Sequence, residues 1–322
     1  MIKGACWGLF HKAWCCLNGV GFLAIISGRN LGMKKSICAL FVLAILVLGC
    51  SKGVHESGEQ ALSEESSGEA ASLPSTKLYT FDCGDIEVSD LDAFSSSGDY
   101  AGKAGQLVNT CYLIRHPEGD LIWDLGLPQT LVGSGPQVNG IFTLSLESSI
   151  ADQLALIGLS AADIEFLSIS HSHFDHTGQA ALFPDVEWLV HEEEFDHMFG
   201  TVEGEAQHSA FAGLNKTTFS DNYDVFGDGS VVILTMPGHT PGHTALWVSL
   251  PESGSVLLSG DLYHRAESRE LARVPRFNSD EAETRASMVA FERLATELGA
   301  RVIIQHEELD VALLPELPGF LN

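Results

Sequence analysis

The sequence predicts an α/β fold, on three observations. Short apolar runs bounded by glycine, proline or aspartate recur along residues 109–261. Stretches with apolar residues at helical spacing stand between and after them. Several of the runs end in histidine or aspartate, where a plain turn residue would suffice. Strands and helices mixed in this way bury their apolar faces when helices cover sheets of paired strands.

The first 76 residues stand apart from that pattern. Residues 33–49 read as a signal peptide: Lys34 and Lys35 precede an apolar run from Ile37 to Leu48, shorter than the roughly 20 residues that span a bilayer. Residues 1–32 then precede the working start at Met33 and are set aside as an overlong start. The stretch "VLGC" (47–50) resembles a bacterial lipobox, whose cysteine is lipidated and becomes the new N-terminus. That resemblance implies a membrane attachment through Cys50 at the periplasmic face. The outer membrane is the expected destination because Ser51, not aspartate, follows; an ordinary membrane anchor is the alternative. Residues 50–76 are rich in Ser, Glu and Gly, too poor in apolar surface to offset their ordering entropy, and read as a tether. The folded body is expected at 77–322, a plausible size for one two-layered domain.

Charge excludes one function class. The formal net charge is −26, and none of the 43 acidic residues precedes residue 50, whereas five of the 17 basic ones do. So acidic a body repels phosphate backbones, and no nucleic-acid partner is expected.

Within the body the strand-like runs are "NTCYLIRH" (109–116), "DLIWDLG" (120–126), "IEFLSIS" (164–170), "VEWLVHE" (186–192), "SVVILTMPG" (230–238), "TALWVSL" (244–250) and "SVLLSGD" (255–261). "LESSIADQLALIGL" predicts a helix with Ser148 or Ser149 as N-cap and Ile150, Leu154 and Ile157 on one face. "SDEAETRASMVAFERLATELGA" predicts a longer helix, opened by Ser279-Asp280 and closed by Gly299, feeding a buried strand "RVIIQHE". Two weakly structured insertions, 127–146 and 198–222, carry scattered apolar residues. Cys83 and Cys111 lie in apolar strand-like stretches and are expected as two buried thiols, although an exported protein could join them.

The chemistry concentrates in "SISHSHFDHTGQ" (168–179), which places three histidines and an aspartate in the six positions from His171 to His176. Following a strand, this stretch forms a turn into a helix. His171 and His173 can reach one cation together; Asp175 and His176 can serve a second. Three other strands end in His239, Asp261 and His306. A site assembled this way sits on rigid elements, with polar groups at sheet ends rather than in the core. His243, four residues past His239, is expected to brace a ligand rather than bind metal. His55, His116, His191, His197 and His208 are read as surface or packing residues.

The pattern "HSHFDH" with His239, Asp261 and His306 resembles the metallo-β-lactamase superfamily over roughly residues 77–310. That resemblance implies an αββα sandwich, two mixed sheets flanked by helices, with a two-metal site along one edge. It implies that His171, His173 and His239 bind one divalent ion and that Asp175, His176 and His306 bind the other. Asp261 would bridge them. Zinc suits such donors, and cobalt, iron and manganese also fit.

Two details choose among hydrolases. A bridging aspartate is shared with lactonases and glyoxalase-II-type thioesterases and absent from zinc β-lactamases; His173 argues against flavodiiron redox chemistry. "LYTFDCGDIEVSD", "NTCYLIRHPEGDLIWDLGLP" and "HEELDVALLP" resemble N-acyl-homoserine lactonases in order and spacing. The expected activity is therefore lactone opening by attack of a metal-bridging hydroxide, with Asp175 also able to orient the nucleophile or shuttle a proton. Well-known lactonases have tyrosine three residues after the bridging aspartate. Here that position is His264, with Tyr263 before it, and alternation along a strand lets one of the two face the metals. Both are candidate catalytic residues. The two insertions are expected either to wall an acyl chain or to form packing or homodimer contacts. The alternatives are another ester, thioester or β-lactam hydrolase, and a metal-binding envelope lipoprotein without turnover.

Overall fold

The computed structural model describes residues 75–322. The expected signal peptide, Cys50 and the tether up to residue 74 lie outside the described residues. Among the described residues, no helix is long and apolar enough to cross a membrane.

One sheet has eight strands: β1 (Lys77–Val88), β2 (Gly105–His116), β3 (Gly119–Trp123), β4 (Gln137–Asn139), β5 (Phe142–Ser145), β6 (Phe166–Ser168), β7 (Glu187–His191) and β8 (Asn215–Phe219), in spatial order 4-5-1-2-3-6-7-8. The other has five: β9 (Tyr223–Asp224), β10 (Val231–Thr235), β11 (Thr244–Leu250), β12 (Gly254–Leu258) and β13 (Arg301–Ile303), in order 13-12-11-10-9. Both sheets are mixed: β3, β6, β7 and β8 run parallel, as do β12 and β13, and the remaining pairs are antiparallel.

Alternation along each strand divides the core. On β2, Tyr112 and Ile114 face the second sheet and meet Leu246 and Val248 of β11. Their neighbours Cys111 and Leu113 face outward, onto Ile150 and Leu154 of α1 (Ile150–Leu156). Ser149 caps α1 in a capping box with Asp152. The outer face of the second sheet, at Ala245 and Leu257, is covered by Met288 and Phe291. The layers are thus helix, sheet, sheet, helix, as expected. Six further helices are α2 (Phe174–Thr177), α3 (Glu192–Phe199), α4 (Val202–Gln207), α5 (Ala266–Leu271), α6 (Glu281–Leu298) and α7 (Glu308–Val311). Asp280 caps α6, and Gly299, at φ 56°, ends it.

One expectation needs correction. Cys83 and Cys111 form a disulfide, not two thiols. In the antiparallel β1–β2 pair Asp82 faces Thr110 and Gly84 faces Asn109, so Cys83 is the extra residue of a bulge. The bulge brings its Cα to 5.8 Å from that of Cys111, within disulfide reach. The insertion 198–222 takes the packing reading: Met198 and Phe211 are buried in the core beside Trp188.

Candidate metal centre

The seven residues singled out by sequence meet at one edge of the sandwich. His171 and His173 follow β6, Asp175 and His176 ride on α2, His239 lies in the turn after β10, Asp261 follows β12 and His306 follows β13. Each donor lies just past the C-terminal end of a strand, which anchors the start of the segment that carries it.

Two groups of donors result. His171 and His173 approach each other through Nε2 and Nδ1 at 2.9 Å, and His239 Nε2 lies 3.1 Å from the same His173 nitrogen. In the second group the Nε2 atoms of His176 and His306 are 3.3 Å apart, with Asp175 Oδ2 at 3.9 and 3.8 Å. Asp261 stands between them. Its Oδ2 faces His171 and His239 at 3.5 and 3.4 Å, and its Oδ1 faces His176 and His306 at 3.3 and 2.9 Å.

This arrangement fits two divalent cations. Imidazole nitrogens converge in threes and twos on points where one shared proton could serve a single pair. Asp261 Oδ1 is buried with no hydrogen-bond partner, a costly state for a carboxylate oxygen unless a cation meets it. Burial, with the neighbouring His176, pushes the His171 pKa well below its ordinary value; burial, with His239, does the same to His173, favouring the neutral ligand form. Burial opposes charge on His176 as well, but Asp261, Asp124 and Asp175 outweigh it and raise its pKa well above the usual range. Burial would also favour a neutral Asp261, yet His264, His176 and His306 hold its carboxyl well below the usual range.

The histidines are aimed by partners on their other ring nitrogens. His176 Nδ1 donates to Asp124 Oδ2 at 3.1 Å, and His306 Nδ1 donates to the Val108 carbonyl at 2.8 Å. Asp124 also accepts from the Ser170 amide at 2.6 Å and from Gln305 Nε2 at 2.9 Å. It is fully buried and sits at φ 60° just past β3. His243 behaves as a brace: Nδ1 donates to the Met236 carbonyl at 2.9 Å, and Nε2 accepts the Asp261 amide at 3.0 Å. Burial, with His239 nearby, pushes its pKa down to about 3, so it stays neutral.

A cavity of about 280 Å³ opens onto the cluster. His173, Asp175, Asp261, His264 and His306 form its floor, and Phe94, Ile141, Phe142, Phe174 and Phe277 form an apolar wall. A larger cleft of about 350 Å³, between β1, β2, α1 and residues 311–317, contains none of the seven donors and is set aside as the reaction site.

The family model for the metallo-beta-lactamase superfamily matches residues 104–306, a span containing every donor of both groups. The chain belongs to the metallo-β-lactamase superfamily. As a member of it, the protein is a metal-dependent hydrolase. It is 30% identical over 228 residues to the N-acyl homoserine lactonase AttM of Rhizobium johnstonii, covering 66% of this chain and 86% of that one. It is 27% identical over 228 residues to the AttM lactonase of Azorhizobium caulinodans, with the same coverages. A solved N-acyl homoserine lactone hydrolase, holding N-hexanoyl-L-homoserine at its catalytic metal centre, superposes with a TM-score of 0.68 at 25% identity. That match covers 77% of this chain and all of the other.

Within this superfamily member the choice between Tyr263 and His264 is decided by direction. His264 lines the cavity; Tyr263 turns into the core against Phe291 and bonds Glu292 through its hydroxyl at 3.0 Å. Tyr263 is therefore withdrawn as a catalytic candidate; neither residue lies in a strand, and it is the exit from the one-turn helix at Gly260–Leu262 that sends the two side chains to opposite sides. Of the insertions, 127–146 does supply wall residues, Ile141 and Phe142. Asp124 and Gln305 were missed from sequence. The signal available was a carboxylate closing the apolar run "LIWD" and an amide beside His306.

Proposed function

We propose that this hydrolase opens the lactone ring of N-acyl-homoserine lactones. Two divalent ions, zinc by the chemistry of the donors, would be held by His171, His173 and His239 and by Asp175, His176 and His306, with Asp261 shared between them. The observation that carries the proposal is the aromatic-walled cavity opening directly onto the two donor groups. An apolar, aromatic wall favours an acyl chain over the broad polar ring system of a β-lactam.

Two divalent ions supply, when bound, Lewis acidity toward a carbonyl oxygen and a water acidified to near neutrality. The side chains do the rest. Asp175, at the cavity floor, can orient that water and hold its proton. His264 is buried beside Asp261, and burial pushes its pKa down, so the neutral ring has one N–H to give, to Asp261 or in its place to the lactone carbonyl. Ring opening joins the water oxygen to the carbonyl carbon and breaks the ring C–O bond. The alkoxide takes the proton drawn from the water, for which Asp175 is placed as carrier. The carboxylic acid product then ionises, so each turnover releases one proton to solution. Such an activity would remove a diffusible acyl-lactone signal.

The Cys83–Cys111 disulfide supports export to an oxidising compartment, in keeping with the lipidated Cys50 expected from sequence.

The test is proton release by the zinc-loaded protein mixed with N-hexanoyl- and N-decanoyl-homoserine lactone, with Asp261→Ala as control. Acidification that the control abolishes supports the proposal. Silence from a protein shown to hold two metals per chain removes it, and thioesters and β-lactams become the substrates to try.

A further inference from the structure

Three glutamates open α3, and the sequence pattern would make all of them acidic ornaments of a helix N-terminus. Glu192 and Glu193 are exposed as that role requires; Glu194 is 1% exposed. A buried carboxylate is costly unless its oxygens are fully bonded. Among the described residues, no lysine or arginine pairs with Glu194; three hydrogen-bond donors satisfy it. Oε1 accepts the Ser172 amide at 2.6 Å. Oε2 accepts the Thr240 hydroxyl at 2.7 Å and the Gly242 amide at 3.0 Å.

The identity of those donors is what matters. Ser172 is the residue between His171 and His173. Thr240 follows His239, and Gly242 precedes His243, which receives the Asp261 amide. One carboxylate therefore ties the two loops that deliver all three histidines of the first donor group. The same Ser172 peptide is gripped from its other side: its carbonyl lies 3.1 Å from Nε2 of His208, which is buried and follows α4. His208, read from sequence as a packing or surface residue, thus contacts the ligand loop. The approach is tight as well. A Cβ on Gly242 would fall 2.2 Å from the Glu194 amide nitrogen, so no other residue lets the turn reach α3 without a shift.

We propose that Glu194, assisted by His208, is a positioning residue that sets the spacing of His171, His173 and His239 and so controls the affinity of the first metal position. The inference rests on the two-metal assignment made above, but not on the identity of the substrate.

The experiment measures zinc dissociation constants by chelator competition for the full chain and its Glu194→Gln and Thr240→Val variants. Thermal melting of the metal-free forms runs alongside. Glu194→Gln places an amide NH₂ against one of the donors; it is expected to weaken one of two zinc ions by about 10–100-fold and leave the other unchanged. Thr240→Val removes a single donor and gives a smaller loss at the same ion, keeping the test decisive if the glutamine variant fails to fold. Folded variants with lowered melting temperature but unaltered zinc affinity at both positions would overturn the proposal, leaving Glu194 a structural residue. Wild-type protein that binds two zinc ions but opens no lactone sinks the substrate assignment and leaves this inference standing. Wild-type protein that takes up no zinc overturns both.

Discussion

His264 Nε2 lies 2.9 Å from Asp261 Oδ2, and the His264 ring stacks on that of His306, their planes 10° from parallel and their centroids 5.8 Å apart. Phe94 and Phe277 meet the same ring edge-on. The imidazole is thus held on four sides at the point where the apolar wall meets the metal donors. His264→Ala is expected to lower kcat by about 10²–10³-fold, the span usual for a lost hydrogen-bond donor to a developing oxyanion, with two metals still bound. Tyr263→Phe removes the bond to Glu292 and should cost about 1 kcal/mol of stability with kcat nearly unchanged. Steady-state kinetics beside metal analysis would check both; a dead Tyr263→Phe enzyme would reverse the assignment.

Asp124 supplies the aim of the second donor group. Asp124→Ala would leave the Ser170 amide, His176 Nδ1 and Gln305 Nε2 short of their acceptor in a buried place. Zinc affinity at that position should fall about 10–100-fold. The unsatisfied donors should add destabilisation of about 1–3 kcal/mol each. Metal content after dialysis and urea midpoints of the metal-free protein measure the two effects separately.

A pH dependence follows from His243. Its folded pKa is depressed to about 3, against an ordinary value of 6.5. The unfolded chain therefore binds a proton first as pH falls. The stabilisation that comes from keeping this ring neutral is fully present above pH 6.5 and is lost as pH falls from 6.5 toward 3. The slope from one such group is roughly 1.4 kcal/mol per pH unit. In the metal-free protein, urea midpoints at pH 7.5, 6 and 5 should fall more steeply for wild type than for His243→Gln. Parallel profiles would show that the ring does not carry the effect.

The disulfide closes a loop of 28 residues' separation between β1 and β2. Chain-entropy reasoning gives it roughly 3.6 kcal/mol. Cys83→Ser with Cys111→Ser should lower the melting temperature by several degrees or more and leave KM for a lactone near its wild-type value. An unchanged melting temperature would mean that the unfolded chain is already compact in this region.

Some features were legible because they are local. The spacing of His171, His173, Asp175 and His176 is compressed into one turn, and no tertiary knowledge is needed to see that these side chains leave the backbone together. His239, Asp261 and His306 were legible because each closes an apolar run, so a sheet of any order brings them to its ends. The layered class followed from strand alternation and from the caps at Ser149, Asp280 and Gly299. Other features were decided when strands paired. Cys83 reaches Cys111 because a bulge displaces it on β1, and a bulge is a property of two strands, not of one. Tyr263 and His264 are neighbours with opposite fates because Tyr263 packs onto α6 through Phe291 and Glu292 as the chain leaves the one-turn helix at Gly260–Leu262, which leaves His264 to face the donors. Asp124, Glu194 and His208 look in sequence like a strand terminus, a helix charge and a stray histidine. Their partners lie between 22 and 181 residues away along the chain. Local spacing carries the ligands; the groups that hold the ligands in place come from distant segments, and only chain folding brings them there.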